Sequence, residues 1–145
     1  MSWAIWLTGP PGSGKSARAR ATAARLAAEG IRVEVLELDE MRKLVTPRPT
    51  YSDVERAFVY HALVWVAKSM VEAGFPVIID ATAHRREWRD LARLAIPAFA
   101  EIQLACPPAV RRERETHRTP GHAPPGIYAR AGQPGARVPG VDVEY

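Results

Sequence analysis

Short apolar runs, and one stretch in which apolar and polar residues alternate, predict strands along the chain. Residues 3–8 (WAIWLT) form a short apolar run, and residues 31–38 (IRVEVLEL) alternate apolar and polar side chains. Residues 76–80 (PVIID) form a continuous apolar run, which is typical of a strand covered on both faces. Residues 99–105 (FAEIQLA) predict one further strand. These segments therefore predict four strands.

Helix-forming composition and signals for helix ends predict helices between and after these strands. They are predicted over residues 15–29, 53–73, 85–95 and 109–118. The first helix is rich in alanine and stops at Gly30. Ser52 and Glu55 form a capping box at the start of the second, which is apolar nearly all round and closes at Gly74. The stretch before the second helix, which contains Pro47 and Pro49, is expected to be irregular.

The alternation of strands and helices predicts the fold class. It indicates an α/β domain with a mostly parallel sheet of four or five strands, right-handed crossovers and flanking helices. A chain of 145 residues is long enough for one domain with its own core.

The segment GPPGSGKS, which joins the first strand to the first helix, matches the phosphate-binding P-loop pattern. Its glycines allow successive backbone N–H groups to turn inward and bind anions at a helix N-terminus. Lys15 is expected to reach the β- and γ-phosphates, and the Ser16 hydroxyl to ligate Mg²⁺. The predicted ATP-binding residues are Gly9, Pro10, Pro11, Gly12, Ser13, Gly14, Lys15, Ser16 and Ala17. The fold class is therefore expected to be a P-loop NTPase.

The composition changes near the C-terminus. Between Thr119 and Gly140, 10 of 22 residues are Pro or Gly. We expect residues 1–118 to form the P-loop kinase core and residues 119–145 a lid or tail of the same domain; composition alone leaves a lid, a wrapping tail and disorder open. Four arginines just before this segment are candidate lid residues, or members of a salt-bridged surface helix: Arg111, Arg112, Arg114 and Arg118.

Two acidic residues follow predicted strands and are candidates for the catalytic machinery. Asp80 ends the third strand, as the acid of a Walker B motif does. Asp39 ends the second strand, and Arg42 follows one helical turn later, a pairing suited to activating a hydroxyl and holding an anion. Lys15, Asp39 and Asp80 are the predicted catalytic residues, with Ser16, Asp39 and Asp80 as predicted metal ligands. Both acids are also compatible with helix-capping roles, and which lies nearer to the metal stays open.

Charge and composition limit the partners. The net charge is +4, and arginine supplies most of the positive charge, since Lys15, Lys43 and Lys68 are the three lysines. Arginine suits bidentate contacts to phosphate or sulfate, whereas no basic block with interleaved aromatic residues predicts nucleic-acid binding. No apolar run approaches the roughly 18 residues of a membrane span. With one cysteine and no leader pattern, a cytoplasmic protein is expected. The sequence leaves a homodimer open.

Five segments together resemble the adenylylsulfate (APS) kinases: IWLTGPPGSGKS, VLELDEMRKL, YSDVERA, GFPVIIDATA and GIYARAG. The resemblance implies a P-loop kinase that uses ATP and Mg²⁺ to phosphorylate the 3′-hydroxyl of APS, a small anionic acceptor. It also implies an acceptor site in which Arg42 and Arg56 hold anionic groups and Tyr51 stacks on the purine. Asp39 is expected to contribute to acceptor binding and to act as the base or the metal-linked acid.

Several positions differ from the pattern of that family. The Asp-Gly-Asp-x-x-Arg motif is represented by Glu37-Leu38-Asp39 followed by Arg42, and Val59 stands where the family has Asn. The Ile-Ser-Pro stretch after the third strand is DATAHRR, as in small P-loop kinases that act on sugars, polyols or polynucleotide ends. Such an acceptor is therefore the alternative to APS, and a nucleotide-binding module with little transfer activity is a second alternative.

Overall fold

The computed structural model describes residues 2–110 and Glu113, and this part has eight elements, in which strands and helices alternate except that two helices follow the second strand. In order they are β1 (Ala4–Thr8), α1 (Lys15–Ala28), β2 (Glu34–Glu37), α2 (Leu38–Val45), α3 (Asp53–Glu72), β3 (Val77–Asp80), α4 (Arg86–Ala95) and β4 (Phe99–Gln103). The four strands form one parallel sheet in the order β2-β3-β1-β4. The α/β class with a parallel sheet and flanking helices is thus confirmed.

The register of the sheet determines which strand ends meet. β1 pairs with β3 from Ala4↔Val77 to Leu7↔Asp80, and β2 pairs with β3 so that Glu37 lies opposite Asp80. Because all pairs are parallel, the carboxyl ends of β1, β2 and β3 share one edge of the sheet, where open α/β sheets place their ligands.

The two faces of the sheet carry separate apolar clusters, because neighbouring residues of a strand point to opposite sides. On one face Trp6 stacks on Tyr60 of α3, with ring centroids 6.2 Å apart, and Tyr60 stacks on Trp88 of α4 at 4.2 Å. On the other face Leu7 and Ile78 pack in one cluster with Ala19 of α1. The helices therefore cover both sides of β1 and β3.

The second strand is shorter than predicted, and a helix follows it at once. β2 ends at Glu37, and α2 begins at Leu38, where an irregular stretch was expected. Leu38 and Arg42 are buried one turn apart, and Met41 packs against the core between them. The prediction that Asp39 ends a strand is therefore wrong, because this packing makes Asp39 the second residue of a helix.

Helix α3 has the predicted bounds to within a residue, and its apolar residues are not all buried. The sequence of this helix is apolar nearly all round, and two of its apolar residues, Val54 and Phe58, are exposed, at 82% and 58%. Arg56 is buried instead, at 9% exposure. Residues 108–110 and Glu113 are helical, as predicted for the last segment. The other residues of the predicted helix 109–118 and the segment 119–145 lie outside the described part.

Candidate active site

The P-loop joins β1 to α1 through a turn that requires glycine. Gly9 has φ +149°, and a Cβ built there would lie 2.8 Å from the carbonyl oxygen of Leu104 and 2.9 Å from Oγ of Ser13. Gly12 and Gly14 have φ values of 79° and 90°, in the left-handed region that favours glycine. The loop is therefore built from residues that let the backbone approach a ligand closely.

The start of α1 offers the donors that a phosphate group needs. Gly14 is the N-cap and provides no side-chain hydrogen bond to the first turn, so the N–H groups there are not capped by that residue. The Ser13 hydroxyl is buried and has no hydrogen-bond partner within the described residues. A 14-residue helix also carries a positive dipole at this end. The residues present thus fit a bound phosphate chain.

Lys15 lies inside the loop. Its side chain is buried, and Nζ donates hydrogen bonds to the carbonyl oxygens of Gly9 at 3.0 Å and Pro10 at 3.1 Å. The ammonium group therefore lies across the mouth of the P-loop, as the sequence motif predicts for a group that contacts phosphates.

Ser16 and Asp80 meet although 64 positions separate them in sequence. The Ser16 hydroxyl donates to Oδ2 of Asp80 at 2.5 Å, and Asp80 is 6% exposed. Burial raises the pKa of Asp80, and the nearby carboxylates of Glu37 and Asp39 add to the rise, against the Ser16 hydrogen bond and the Lys15 charge. A nearby cation would compensate for this buried negative charge.

A hydroxyl and a carboxylate are the ligands that Mg²⁺ accepts beside phosphate oxygens and water, so the Ser16–Asp80 pair fits this ion. Within the described residues, no group of three or more His, Cys, Asp and Glu side chains could hold a metal ion. A magnesium ion here would thus depend on the nucleotide for its remaining ligands.

Asp39 lies beside this pair rather than in it. It belongs to the first turn of α2, and its charge contributes to the raised pKa of Asp80. Glu37, the residue before α2, forms an ion pair with Arg20 of α1 at 3.0 Å. The structure therefore brings Lys15, Ser16 and Asp80 together and places Asp39 close to them, on the side of α2.

The candidate acceptor residues divide into two groups. Arg42 of α2 is buried, and its guanidinium carbon lies 5.1 Å from the centre of the Tyr51 ring. Arg56 of α3 is close enough to His84 to lower the pKa of that imidazole. The structure thus brings Arg42 and Tyr51 into contact, and it places Arg56 near the segment after β3.

Ala83 and His84 lie in this region, and the sequence predicts no functional role for either. Ala83 has φ 44°, its N–H donates to the Tyr60 hydroxyl at 2.8 Å, and its carbonyl oxygen accepts from Nη1 of Arg89 at 2.5 Å. His84 is 2% exposed, and burial, assisted by the charges of Arg56 and Arg85, lowers its pKa to about 4. The position of DATAHRR at the end of a buried strand is the signal that could have indicated Ala83 and His84.

Some candidates from the sequence cannot be placed. The candidate lid arginines at 111, 112, 114 and 118 and the GIYARAG segment lie outside the described residues.

The parallel sheet, the P-loop and the Ser16–Asp80 pair at the ends of β1 and β3 define the class of protein: a P-loop NTPase with the site of a small kinase. Within the described part of the chain, no helix is long and apolar enough to cross a membrane. The sequence pattern of the adenylylsulphate kinase family matches residues 1–145. The chain therefore belongs to the adenylylsulphate kinase family.

Individual relatives agree with this assignment. A protein of Archaeoglobus fulgidus named "Probable adenylyl-sulfate kinase" is 34% identical over 146 residues, covering 100% of this chain and 89% of its own. The adenylyl-sulfate kinase of Bacillus licheniformis is 36% identical over 129 residues, and the match covers 88% of this chain and 61% of that protein. The structure of the Mycobacterium tuberculosis APS kinase in complex with AMPPNP and APS has a TM-score of 0.72 at 29% identity, covering 90% of this chain and 73% of that one.

Proposed function

We propose that this protein transfers the γ-phosphate of ATP to the 3′-hydroxyl of adenylylsulfate, with Mg²⁺ as cofactor. The observation that carries the proposal is the contact between Ser16 of the P-loop and Asp80, and we infer one site with two halves. The P-loop and the Ser16–Asp80 pair form the half for ATP, and the Arg42–Tyr51 contact lies at the adjoining α2 side. Membership of the adenylylsulphate kinase family supports APS as the acceptor.

Each residue of the ATP half has a role that follows from its position. The backbone of residues 9–17 binds the phosphates, and Lys15 neutralises charge on the β- and γ-phosphates as the bond to ADP breaks. Ser16 and Asp80 would hold Mg²⁺, which supplies charge neutralisation and orientation of the phosphates when bound. Asp39 accepts the proton of the acceptor hydroxyl while the oxygen of that hydroxyl forms the new bond to phosphorus.

The acceptor half binds a nucleotide that carries anionic groups. Tyr51 presents an aromatic face for the purine, while Arg42 and Arg56 hold the sulfate and phosphate oxygens. Val59, which stands where the family has Asn, is fully buried in the core, so this position provides packing instead of a hydrogen bond. Acceptor recognition in this chain therefore depends more on the tyrosine and the two arginines.

The decisive experiment measures ADP release with ATP and Mg²⁺, with and without APS. We expect release that depends on APS and a product phosphorylated on the 3′-hydroxyl. A panel of sugars, polyols and 5′-hydroxyl oligonucleotides serves as the comparison, and turnover with one of these but not with APS would replace the proposed acceptor. ATP binding without turnover on any acceptor would favour a nucleotide-binding module. Asp39→Asn is expected to bind ATP but to turn over slowly.

Other features remain predictions from the sequence. They are a cytoplasmic location, a homodimer, and the division into a core at 1–118 and a lid or tail at 119–145.

A further inference from the structure

Glu55 lies in the first turn of α3, three residues after the N-cap Ser52. In a capping box, a glutamate at this position accepts from the backbone N–H of the N-cap residue. Here the Ser52 hydroxyl accepts from the N–H of Glu55 at 3.2 Å, as expected, but the N–H of Ser52 donates to the Thr50 hydroxyl at 3.3 Å. The Glu55 carboxylate accepts from the N–H groups of Thr50, at 3.0 and 3.1 Å, and Tyr51, at 2.8 Å. It therefore holds the chain before the helix.

The chain at this point has an unusual conformation. Tyr51 has φ 57°, in the left-handed region that residues other than glycine rarely adopt. Such conformations persist where surrounding contacts hold them, and they concentrate at ligand sites. The two backbone donors bound by Glu55 belong to Tyr51 and to the residue before it, so the carboxylate stabilises the backbone that directs the Tyr51 ring.

The same carboxylate also contacts Arg42, which belongs to another helix. Nη1 of Arg42 lies 3.6 Å from Oε2 of Glu55, and the two side chains are 6% and 15% exposed. Burial acts to raise the pKa of Glu55, but the hydrogen bonds from Thr50 and Tyr51 and the charge of Arg42 outweigh it and lower the pKa. A charged carboxylate thus lies between the backbone of Tyr51 and the guanidinium that lies over its ring.

We propose that Glu55 is a positioning residue for the acceptor, which sets the Tyr51 ring and the Arg42 guanidinium in one fixed relation. The inference rests on the proposed function, in which both side chains contact the acceptor. The pair suits a molecule that joins a planar ring to a sulfate or phosphate, because the ring needs a flat surface and the anion a directed cation. In this proposal Glu55 acts only through Tyr51 and Arg42.

The first test is steady-state kinetics of Glu55→Ala and Glu55→Gln. We expect KM for APS to rise roughly tenfold or more in Glu55→Ala, because Arg42 loses its ion-pair partner and two backbone donors lose their acceptor. Glu55→Gln keeps one acceptor oxygen without the charge, so its KM for APS is expected to rise less. KM for ATP is expected to change by less than about twofold in both variants, since the P-loop is untouched.

Ser52→Ala is the matched control, because it removes a cap at the same end of α3 and leaves the Glu55 carboxylate in place. It is expected to lower the thermal midpoint but to leave KM for APS unchanged. An equal rise of KM for APS in Ser52→Ala and Glu55→Ala would overturn the proposal, because the effect would then come from helix stability. An equal rise of both KM values in Glu55→Ala would overturn it as well.

A second measurement needs no acceptor. Hydrogen–deuterium exchange at the amides of Thr50 and Tyr51 is expected to accelerate in Glu55→Ala and to stay unchanged in Ser52→Ala, while unchanged exchange in the core reports that both variants fold. If the wild-type protein does not phosphorylate APS, the proposed function fails, and exchange at these two amides still decides the role of Glu55. Unaltered exchange in Glu55→Ala would overturn the positioning role.

Discussion

At the scale of single residues, Asp80 combines two opposing demands. It is 6% exposed, and burial raises the pKa of its carboxyl group, so the charged form is disfavoured in the folded chain. Yet the charged form is the one that can hold Mg²⁺ together with the Ser16 hydroxyl. A group that is unfavourable for the protein alone and useful with a cation bound is typical of an active site.

Asp80→Asn tests this conflict between stability and function. We expect turnover to fall on the order of 100-fold or more, because the amide cannot neutralise a magnesium ion. The thermal midpoint of the ligand-free protein is expected not to fall, since the amide oxygen can still accept from Ser16 and no buried charge remains. The measurements are kcat with ATP and APS and calorimetry without ligands.

Glu72→Gln, at the exposed end of α3, is the control for this experiment and is expected to keep wild-type turnover. Wild-type turnover in Asp80→Asn would exclude Asp80 as a metal ligand and leave Asp39 as the acid of the site.

At the scale of elements, the junction of β1 and α1 forms the P-loop of the proposed ATP half of the site. Gly9 begins the turn with a backbone angle and a close contact that exclude a side chain. Gly30, after the C-terminal end of the same helix, has φ +82°, and a Cβ added there would meet no atom within 4 Å. The two glycines therefore differ in the space around them. Because one lies before helix α1 and the other after it, and both have positive φ, they form a matched pair for mutation.

Gly9→Ala is expected to weaken ATP binding at least roughly tenfold, because the new methyl group would meet the backbone oxygen of Leu104 and force the loop to move. Gly30→Ala is expected to cost about 1 kcal/mol in the free energy of unfolding through backbone strain, with ATP affinity unchanged. Titration calorimetry with ATP and urea unfolding measure the two effects. Equal ATP affinity in Gly9→Ala and the wild type would contradict this account of the loop.

The elements also show what sequence patterns can and cannot indicate. The four strands and the long helices could be predicted because each is marked locally, the strands by apolar or alternating runs and the helices by helix-forming composition and end signals. Helix α2 was not, because its eight residues are few and two nearby prolines suggested irregular chain. Its buried face forms through packing of Leu38 and Met41 against residues far away in sequence. The helical position of Asp39 and Arg42 follows from that packing.

At the scale of the whole molecule, the aromatic stack of Trp6, Tyr60 and Trp88 connects the sheet to α3 and α4. His84 packs edge-on against Trp88, with ring centroids 4.9 Å apart, and so lies at the end of this stack. Its burial makes the stability of the fold depend on pH.

Burial, with the charges of Arg56 and Arg85, lowers the pKa of His84 from 6.5 to about 4, and Asp53 opposes this only in part. Between these values the unfolded chain binds a proton that the folded chain does not, so the free energy of unfolding falls as pH falls through this window. Between about pH 7 and pH 5 the loss from this group is expected to be about 2 kcal/mol.

Urea unfolding at the two pH values, for the wild type and His84→Gln, measures this contribution. The variant removes the titrating group, so its stability is expected to change less between the two pH values. An equal change in both proteins would show that His84 does not carry the effect.

The sequence by itself determined the P-loop, because its glycines, Lys15 and Ser16 stand on one continuous segment where local backbone geometry decides the site. The strand pattern likewise determined the parallel sheet. Tertiary structure alone decided that Ser16 meets Asp80, that Arg42 lies over Tyr51 and that Glu55 holds both. These contacts join separate elements, and they form because strand register and helix packing, which depend on the whole chain, bring side chains of different elements together.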